Sequence, residues 1–403
     1  MAKREKVVLA YSGGLDTSVI LKWLDLQGYD VTAFVADVGQ SEKLSLLESK
    51  AKASGAKDFC ISDLREEFVR DYVFPAVQFN ALYEGRYMLG TSLARPVIAK
   101  GLVDAAHKVG AKFIAHGATG KGNDQVRFEL SAAALDPELK VIAPWRIKEF
   151  YGVIKGRAEA IAFAKEHKIP VKATVQKPWS SDENALHISF EAGLLEDPAA
   201  VAPADMFEYT VSPQNAPDEP TELEITFDSG IPAALNGKRL SPADMLAKLN
   251  KLGGDNGVGR VDIVESRYLG MKSRGVYETP GGAVLIAAHR DIEGLTLDGS
   301  LIQLKDTLMP RFSQLVYNGY WFSAEMGCIL ALLAESQKYV SGKVRLSLYK
   351  GNISILGRSS ECSLYDHKVA SMDDDHGAYD PTQADGFIKL HAIPLLAHAR
   401  RKR

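Results

Sequence analysis

A short apolar run, Val7-Val8-Leu9-Ala10-Tyr11, is followed without a spacer by Ser12-Gly13-Gly14-Leu15-Asp16-Thr17-Ser18. Val19, Ile20, Trp23 and Leu24 then recur at helical spacing up to a stop near Gly28. A buried strand that runs straight into a glycine-bearing turn and then a helix leaves few folds open. Glycines let the backbone turn tightly and approach a ligand with no Cβ in the way. The first N–H groups of a helix lack intrahelical partners, and with the helix dipole they cradle anions. The Ser12, Thr17 and Ser18 hydroxyls add donors that phosphate oxygens accept. The spacing is neither G-x-x-x-x-G-K-[ST] nor G-x-G-x-x-G. The same residues would also make a plain turn and helix cap, and it is the strand–loop–helix setting that favours an anion site.

The pattern repeats over the first 170 or so residues. Strands are predicted over 31–36, 58–61 and 112–115, with helical stretches over 43–53, 94–107, 124–134 and 154–168. Strands alternating with helices imply right-handed βαβ units and a parallel sheet covered on both faces. Ala36, at the end of the second strand, lies where an adenine would rest beside the carboxyl ends of parallel strands.

Five prolines (Pro198, Pro203, Pro213, Pro217 and Pro220) then fall within residues 198–220, which excludes regular helix or central strand there. Beyond them the alternation is lost. Strands over 221–227, 261–265 and 344–349 and helices over 283–292 and 324–335 give an α+β pattern. The last forty residues read as polar, with Asp373-Asp374-Asp375 and a basic end at Arg400, Arg401, Lys402 and Arg403, and suggest an arm or tail rather than core. The division expected is 1–170, 171–362 and 363–403.

At 403 residues, with 46% hydrophobic and 25% charged side chains, the chain can bury a sizeable core without staples. A formal net charge of −3 offers no broad basic surface, so nucleic acid is not an expected partner. Cys60, Cys328 and Cys362 form no CxxC pair, which argues against a disulfide framework or a structural zinc. No apolar run approaches the ~18 residues of a membrane span, and residues 1–6 do not read as a signal peptide. A reducing cytoplasm is the expected location.

A second constellation, Gly117-Ala118-Thr119-Gly120-Lys121-Gly122-Asn123-Asp124-Gln125-Val126-Arg127-Phe128-Glu129, follows the strand ending in Ala115-His116. With a helix starting at Asn123, that amide and Arg127 are four apart and share a face, an arrangement suited to a carboxylate-bearing substrate. Taken alone, these residues equally fit a glycine-rich loop with a cap and a surface arginine.

The loop at Ser12 resembles the pyrophosphate loop of the ATP pyrophosphatases. Together with residues 117–129 it closely resembles the argininosuccinate synthases, as do Glu84-Gly85-Arg86-Tyr87-Met88-Leu89-Gly90-Thr91-Ser92 and Gly259-Arg260-Val261-Asp262-Ile263-Val264-Glu265. Met271-Lys272-Ser273-Arg274-Gly275-Val276-Tyr277-Glu278-Thr279-Pro280-Gly281-Gly282 matches as well, and the likeness weakens after about Asp366. The resemblance implies an α/β fold: an N-terminal Rossmann-like parallel sheet with helices on both faces, a second α+β synthetase domain, and a C-terminal arm that assembles a homotetramer.

It also implies roles. ATP would meet Ala10, Tyr11, Ser12, Gly13, Gly14, Leu15, Asp16, Thr17 and Ser18, with Ala36 and Gly117. Citrulline would meet Tyr87, Ser92, Asn123, Arg127, Ser180, Ser189, Glu265 and Tyr277; aspartate would meet Thr119, Asn123 and Asp124. Ser180 is preferred to its neighbour Ser181 because Pro178-Trp179-Ser180 and the nine-residue step to Ser189 follow the family pattern. Away from the family, Tyr87 and Tyr277 would be half-buried tyrosines, Glu265 a strand carboxylate, and the serines caps or turn residues.

The chemistry implied is a ligase of the arginine pathway that splits ATP to AMP and pyrophosphate through a citrullyl-adenylate. Ser12, Asp16 and Asp124 are the candidate catalytic groups. Mg²⁺ would travel with the phosphates, with Asp16 or Asp124 as possible ligands. Other readings are another ATP pyrophosphatase, such as an amidotransferase-coupled or tRNA-modifying enzyme, a nucleotide sensor without chemistry, or a paralogue with a changed acceptor. Ala2 after the initiator methionine leaves no N-terminal cysteine nucleophile for the first.

Overall fold

The computed structural model describes residues 4–41, 44–170, 178–373 and 377–401. Lys43, at the start of a predicted helix, the expected domain boundary at residue 171, Asp374, Asp375, Lys402 and Arg403 lie outside them.

Five parallel strands form the first sheet: β1 (Lys6–Ala10), β2 (Asp30–Asp37), β3 (Asp58–Asp63), β4 (Phe113–Ala115) and β5 (Lys140–Ile142), in the order β3-β2-β1-β4-β5. Val7, Val8 and Leu9 are wholly buried because both faces are covered. Val7 and Leu9 pack with Val19, Ile20 and Leu24 of the helix Leu15–Leu26 and with Ala160 and Ala164 of Arg157–Glu166. Val8 points the other way, as the two-residue period of a strand requires, onto Leu102, Val103 and Ala106 of Gly90–Val109. The chain leaves β1 toward β2 on one side and returns to β4 on the other. The carboxyl ends of these strands therefore open a crevice at a topological switch point.

The rest of the chain builds two antiparallel sheets. One holds β6 (Ser180–Glu183), β7 (Ile188–Glu191), β11 (Arg260–Ser266) and β12 (Lys272–Glu278) in the order β11-β12-β7-β6. The other holds β8 (Thr221–Asp228), β9 (Ile231–Leu235), β10 (Lys238–Arg239), β13 (Gly342–Tyr349) and β14 (Asn352–Ser359) in the order β10-β9-β8-β13-β14. Helices Pro242–Asp255, Pro280–Thr296, Gly299–Asn318 and Ala324–Ser336 pack with them. The proline-rich stretch carries only short turns, at Ala204–Met206 and Pro213–Asn215, as the missing proline N–H groups dictate.

The largest core crosses from the first part of the chain to the second. Phe68, Val73, Phe74 and Val77, on the helical segment 65–78, pack with Leu223, Ile225, Leu285, Ile292 and Phe312. Phe79 stacks on Phe312 with ring centroids 4.7 Å apart; truncating either ring to alanine would cost about 3–5 kcal/mol. A buried polar knot ties the same segment down. Glu293 accepts from Lys305, from Asn80 Nδ2 at 2.7 Å and from Gln337 Nε2 at 3.0 Å, and Lys305 also donates to the carbonyl of Gln78.

The C-terminal residues are less polar than their sequence suggests. Gln383–Arg400 is an 18-residue helix with no buried side chain, and it exposes Phe387, Ile388, Leu390, Ile393, Leu395 and Leu396. Among the described residues none buries this helix, which leaves its apolar side chains exposed, in keeping with an arm rather than core. Among the described residues no helix is long and apolar enough to cross a membrane.

Candidate functional site

The crevice beside β1, β2 and β4 is a cavity of about 580 Å³. Ala10, Tyr11, Ser12, Gly14, Asp16, Thr17, Ala36 and Gly117 line it, with Gln40, Ile98 and Phe128. Gly13 takes the left-handed φ of 75° that the turn after β1 needs, a conformation cheap only for glycine. Gly117 is small because of a close approach: a Cβ there would stand 2.9 Å from Thr17 Cγ2. Ser12 Oγ and Thr17 Oγ1 lie 3.1 Å apart at the loop's mouth. Burial pushes the Asp16 carboxyl up, and the positive charge of Arg157 only partly offsets this.

Three residues expected at ATP do not reach the cavity wall. Ser18 is buried, donating from its hydroxyl to the Gly14 carbonyl at 2.8 Å and lying 3.1 Å from the Tyr11 hydroxyl. It braces the loop from inside the helix. Gly13 and Leu15 also lie off the wall, with the Gly13 carbonyl taken by Lys50.

A second, smaller cavity of about 120 Å³ adjoins the first. Tyr87, Asn123, Asp124, Arg127, Ser189, Glu265 and Tyr277 line it, so six of the eight residues expected around citrulline converge. Tyr87 stacks on Tyr277 at 4.3 Å between centroids. β7 pairs with β12 so that Ser189 lies opposite Tyr277. Asn123 caps the helix Asp124–Leu135 and its side-chain oxygen accepts from the Tyr268 N–H at 3.1 Å, leaving Arg127 four residues on along the same face. Arg127 donates to the Tyr317 carbonyl at 2.8 Å and to Asp124 Oδ1 at 2.9 Å, and lies over the Tyr317 ring.

Ser92 is fully buried in the helix Gly90–Val109, behind the wall that Tyr87 forms. Ser180 and Thr119 are exposed and off both walls. Ser180 pairs with Glu191 as Asp182 pairs with Ser189, so it shares their face but stands beyond the cavity, while Ser181 touches the larger one. Thr119 forms the turn that its carbonyl closes on the Gly122 N–H at 3.1 Å.

Arg95, Asp124 and Asp182 line both cavities and form their common wall. Asp124 was the expected aspartate-binding or magnesium-binding carboxylate. Both its oxygens accept from arginine, Oδ2 from Arg95 Nε at 2.9 Å and Oδ1 from Arg127. Burial alone would raise its carboxyl, but the two guanidinium groups outweigh that and hold it below the usual range. Each Asp124 oxygen thus already has one arginine donor. Asp16 lines the larger cavity. Among the described residues no group of three or more His, Cys, Asp or Glu side chains is placed to hold a metal by itself.

The sequence reading also passed over residues that the fold brings here: Arg95, Asp182, Glu191, Arg267 and Tyr317 all line the smaller cavity. Arg95 lies three residues from Ser92 on one helix, and that spacing could have pointed to it. Tyr317 gave no local signal. It sits at the end of the helix Gly299–Asn318 and donates to Glu265 Oε1 at 2.6 Å, while Tyr277 donates to Oε2 at 2.9 Å. Desolvation raises the Glu265 carboxyl despite those two donors.

Family models cover both parts of the chain. Residues 6–170 match the arginosuccinate synthase N-terminal HUP domain and residues 179–398 match the arginosuccinate synthase C-terminal domain. The chain belongs to the argininosuccinate synthase family. Among its relatives, the argininosuccinate synthase of Thermotoga maritima is 53% identical over 400 residues, covering 98% of each chain. That of Brucella anthropi is 55% identical over 402 residues, covering 99% of this chain and 98% of its own. In this member of the argininosuccinate synthase family the two cavities share a charged wall.

Proposed function

We propose that this protein joins citrulline to aspartate at the expense of ATP, releasing AMP and pyrophosphate, as a step of arginine biosynthesis. The observation that carries the reading is the common wall: a phosphate-type loop opens one cavity, a charged amino-acid-sized pocket opens the other, and both reach Arg95, Asp124 and Asp182. ATP would occupy the larger cavity, its phosphates against the loop residues Ser12 to Thr17 and its adenine near Ala36. Citrulline would occupy the smaller one, its carboxylate toward Arg127 and Asn123 and its ammonium toward Glu265 and the tyrosine hydroxyls. Aspartate would enter at Thr119, Asn123 and Asp124.

The ureido oxygen would attack the α-phosphorus, and the bond to the β-phosphate would break with its electron pair leaving on pyrophosphate. The aspartate amine would then attack the ureido carbon of the adenylate, expel AMP and lose a proton. Positioning and charge stabilisation are the protein's main contributions to such transfers. Magnesium would enter with ATP and neutralise phosphate charge, with Asp16 or Asp124 as its candidate protein ligand.

The same reading extends to organisation. We infer domains at 1–170 and 171–362, an arm at 363–403 that joins four copies, and a cytoplasmic location. The apolar face of Gln383–Arg400 supports the arm, and sedimentation as a monomer would refute the tetramer.

The function is tested by measuring pyrophosphate release from Mg-ATP with citrulline alone, aspartate alone and both. Citrulline-dependent release, with argininosuccinate and AMP formed when both are present, is the expected result. No release in any combination, in a protein that still binds ATP, overturns it.

A further inference from the structure

The wall between the two cavities carries an alternating row of charge. Asp182 Oδ2 accepts from Arg95 at 2.6 Å, Arg95 reaches Asp124 Oδ2 at 2.9 Å, and Asp124 Oδ1 accepts from Arg127 at 2.9 Å. The members come from separate elements: Arg95 from the helix Gly90–Val109, Asp124 and Arg127 from Asp124–Leu135, and Asp182 from β6. Arg95 therefore ties the nucleotide-side helices to the antiparallel sheet that holds β6. Its side chain is only 14% exposed.

Asp182 is braced from behind. The Thr91 hydroxyl donates to Asp182 Oδ2 at 3.2 Å and lies 3.0 Å from His187 Nε2. His187 is wholly buried and packs beside the stacked Tyr87 and Tyr277, at 6.1 and 5.8 Å between centroids. A line of contacts thus runs from the rings of the smaller cavity to the guanidinium on the edge of the larger one.

We infer that Arg95 is a positioning residue for the adenylation step, neutralising and aligning Asp124 and Asp182 where the ATP α-phosphate meets the ureido oxygen. The inference rests on the ligase reading above. Without Arg95, Asp182 would lose its cation and Asp124 would keep only Arg127, leaving excess negative charge facing a triphosphate across a partly desolvated wall, where like charges repel more strongly than in water. A lysine keeps the charge but loses the fork that spans both carboxylates. The effect falls on the rate of adenylation more than on the binding of citrulline, because the repulsion is felt as the α-phosphorus gains its fifth oxygen.

The test is a single turnover with Mg-ATP and citrulline, aspartate absent, following pyrophosphate. Arg95→Gln is expected to slow release by about 100-fold, with citrulline half-saturation moved less than about threefold and Arg95→Lys recovering about tenfold of the loss. Asp182→Asn placed in the Arg95→Gln protein removes one repelling charge and is expected to restore part of the rate, which a merely structural role would not do. Release by Arg95→Gln within threefold of the unaltered protein overturns the inference, as does a double variant no faster than Arg95→Gln alone. Should Arg95→Gln fail to fold, Asp182→Asn by itself carries the test: it leaves Arg95 one carboxylate short and is expected to slow release about tenfold, and an unchanged rate overturns the inference. Absence of release by the unaltered protein would instead refute the ligase reading, so the two failures are distinct.

Discussion

The hydroxyl of Tyr317 donates to Oε1 of Glu265 at 2.6 Å, across 52 residues of sequence, and so completes a carboxylate that Tyr277 holds from the other oxygen. Tyr317→Phe leaves one oxygen of a buried carboxylate without its donor, a loss of about 1–3 kcal/mol. Citrulline half-saturation should rise about tenfold in steady-state assays, with ATP affinity unchanged. Equal loss of affinity for both substrates would mean that the tyrosine supports the fold and not the pocket.

Gly117 offers a steric probe of the larger cavity. A methyl at this position meets Thr17 Cγ2 at 2.9 Å, and Thr17 lines the cavity beside Ser12. Gly117→Ala should weaken ATP binding by about tenfold, equivalent to roughly 1.4 kcal/mol, while melting unchanged within a few degrees. Calorimetric titration with a non-hydrolysable ATP analogue checks this, and undiminished affinity would place the nucleotide elsewhere.

Asp16 sits in the loop with its carboxyl raised by burial. Asp16→Asn should lower turnover and leave the circular dichroism spectrum intact. Since the ionised form is the one that can meet a magnesium ion, turnover of the unaltered protein should fall as pH drops through the raised value, and the variant should lack that limb. Unchanged turnover in Asp16→Asn would remove this residue from the mechanism.

Two buried histidines predict the direction of acid sensitivity. Desolvation pushes His187 down to about 3, helped by the nearby charge of Arg95; it pushes His289 to about 3 as well, helped by Lys305 and opposed by Gln337. Thr91 and the Tyr87 and Tyr277 rings face His187, while Asn80, Glu293 and Phe227 also face His289. A base whose folded-state value lies below its unfolded value contributes full stability above the unfolded value, near 6.5, and loses it as pH falls toward 3. Each imidazole should cost about 2 kcal/mol by pH 5. Urea midpoints measured from pH 7 to 5 should fall, and His187→Gln should flatten the slope by its share. A midpoint independent of pH over that window would contradict the burial of both rings as neutral groups.

Much of the nucleotide side was legible along the chain. The run Val7 to Tyr11, the glycine turn and the helix after it are local patterns, set by hydrophobic period and by the backbone needs of Gly13. Asn123 and Arg127 share a face for an equally local reason, the helical repeat. Helix ends shifted by a few residues, from the predicted 154–168 to Arg157–Glu166, because capping and fraying are decided by neighbours.

What the chain could not announce was which distant residues would meet. The segment 65–78 joins the core of the second half, Lys305 finds Glu293 and Gln78, Tyr317 finds Glu265, and Arg95 finds Asp124 and Asp182. None of these pairings follows from the periodicity of either partner. Strand pairing sets Ser189 opposite Tyr277, and packing of separate helices brings the arginine to its two carboxylates. Local chemistry therefore determined where a phosphate could be cradled, while tertiary structure alone decided the charged wall between the cavities, because only long-range packing can hold like-charged carboxylates around one cation.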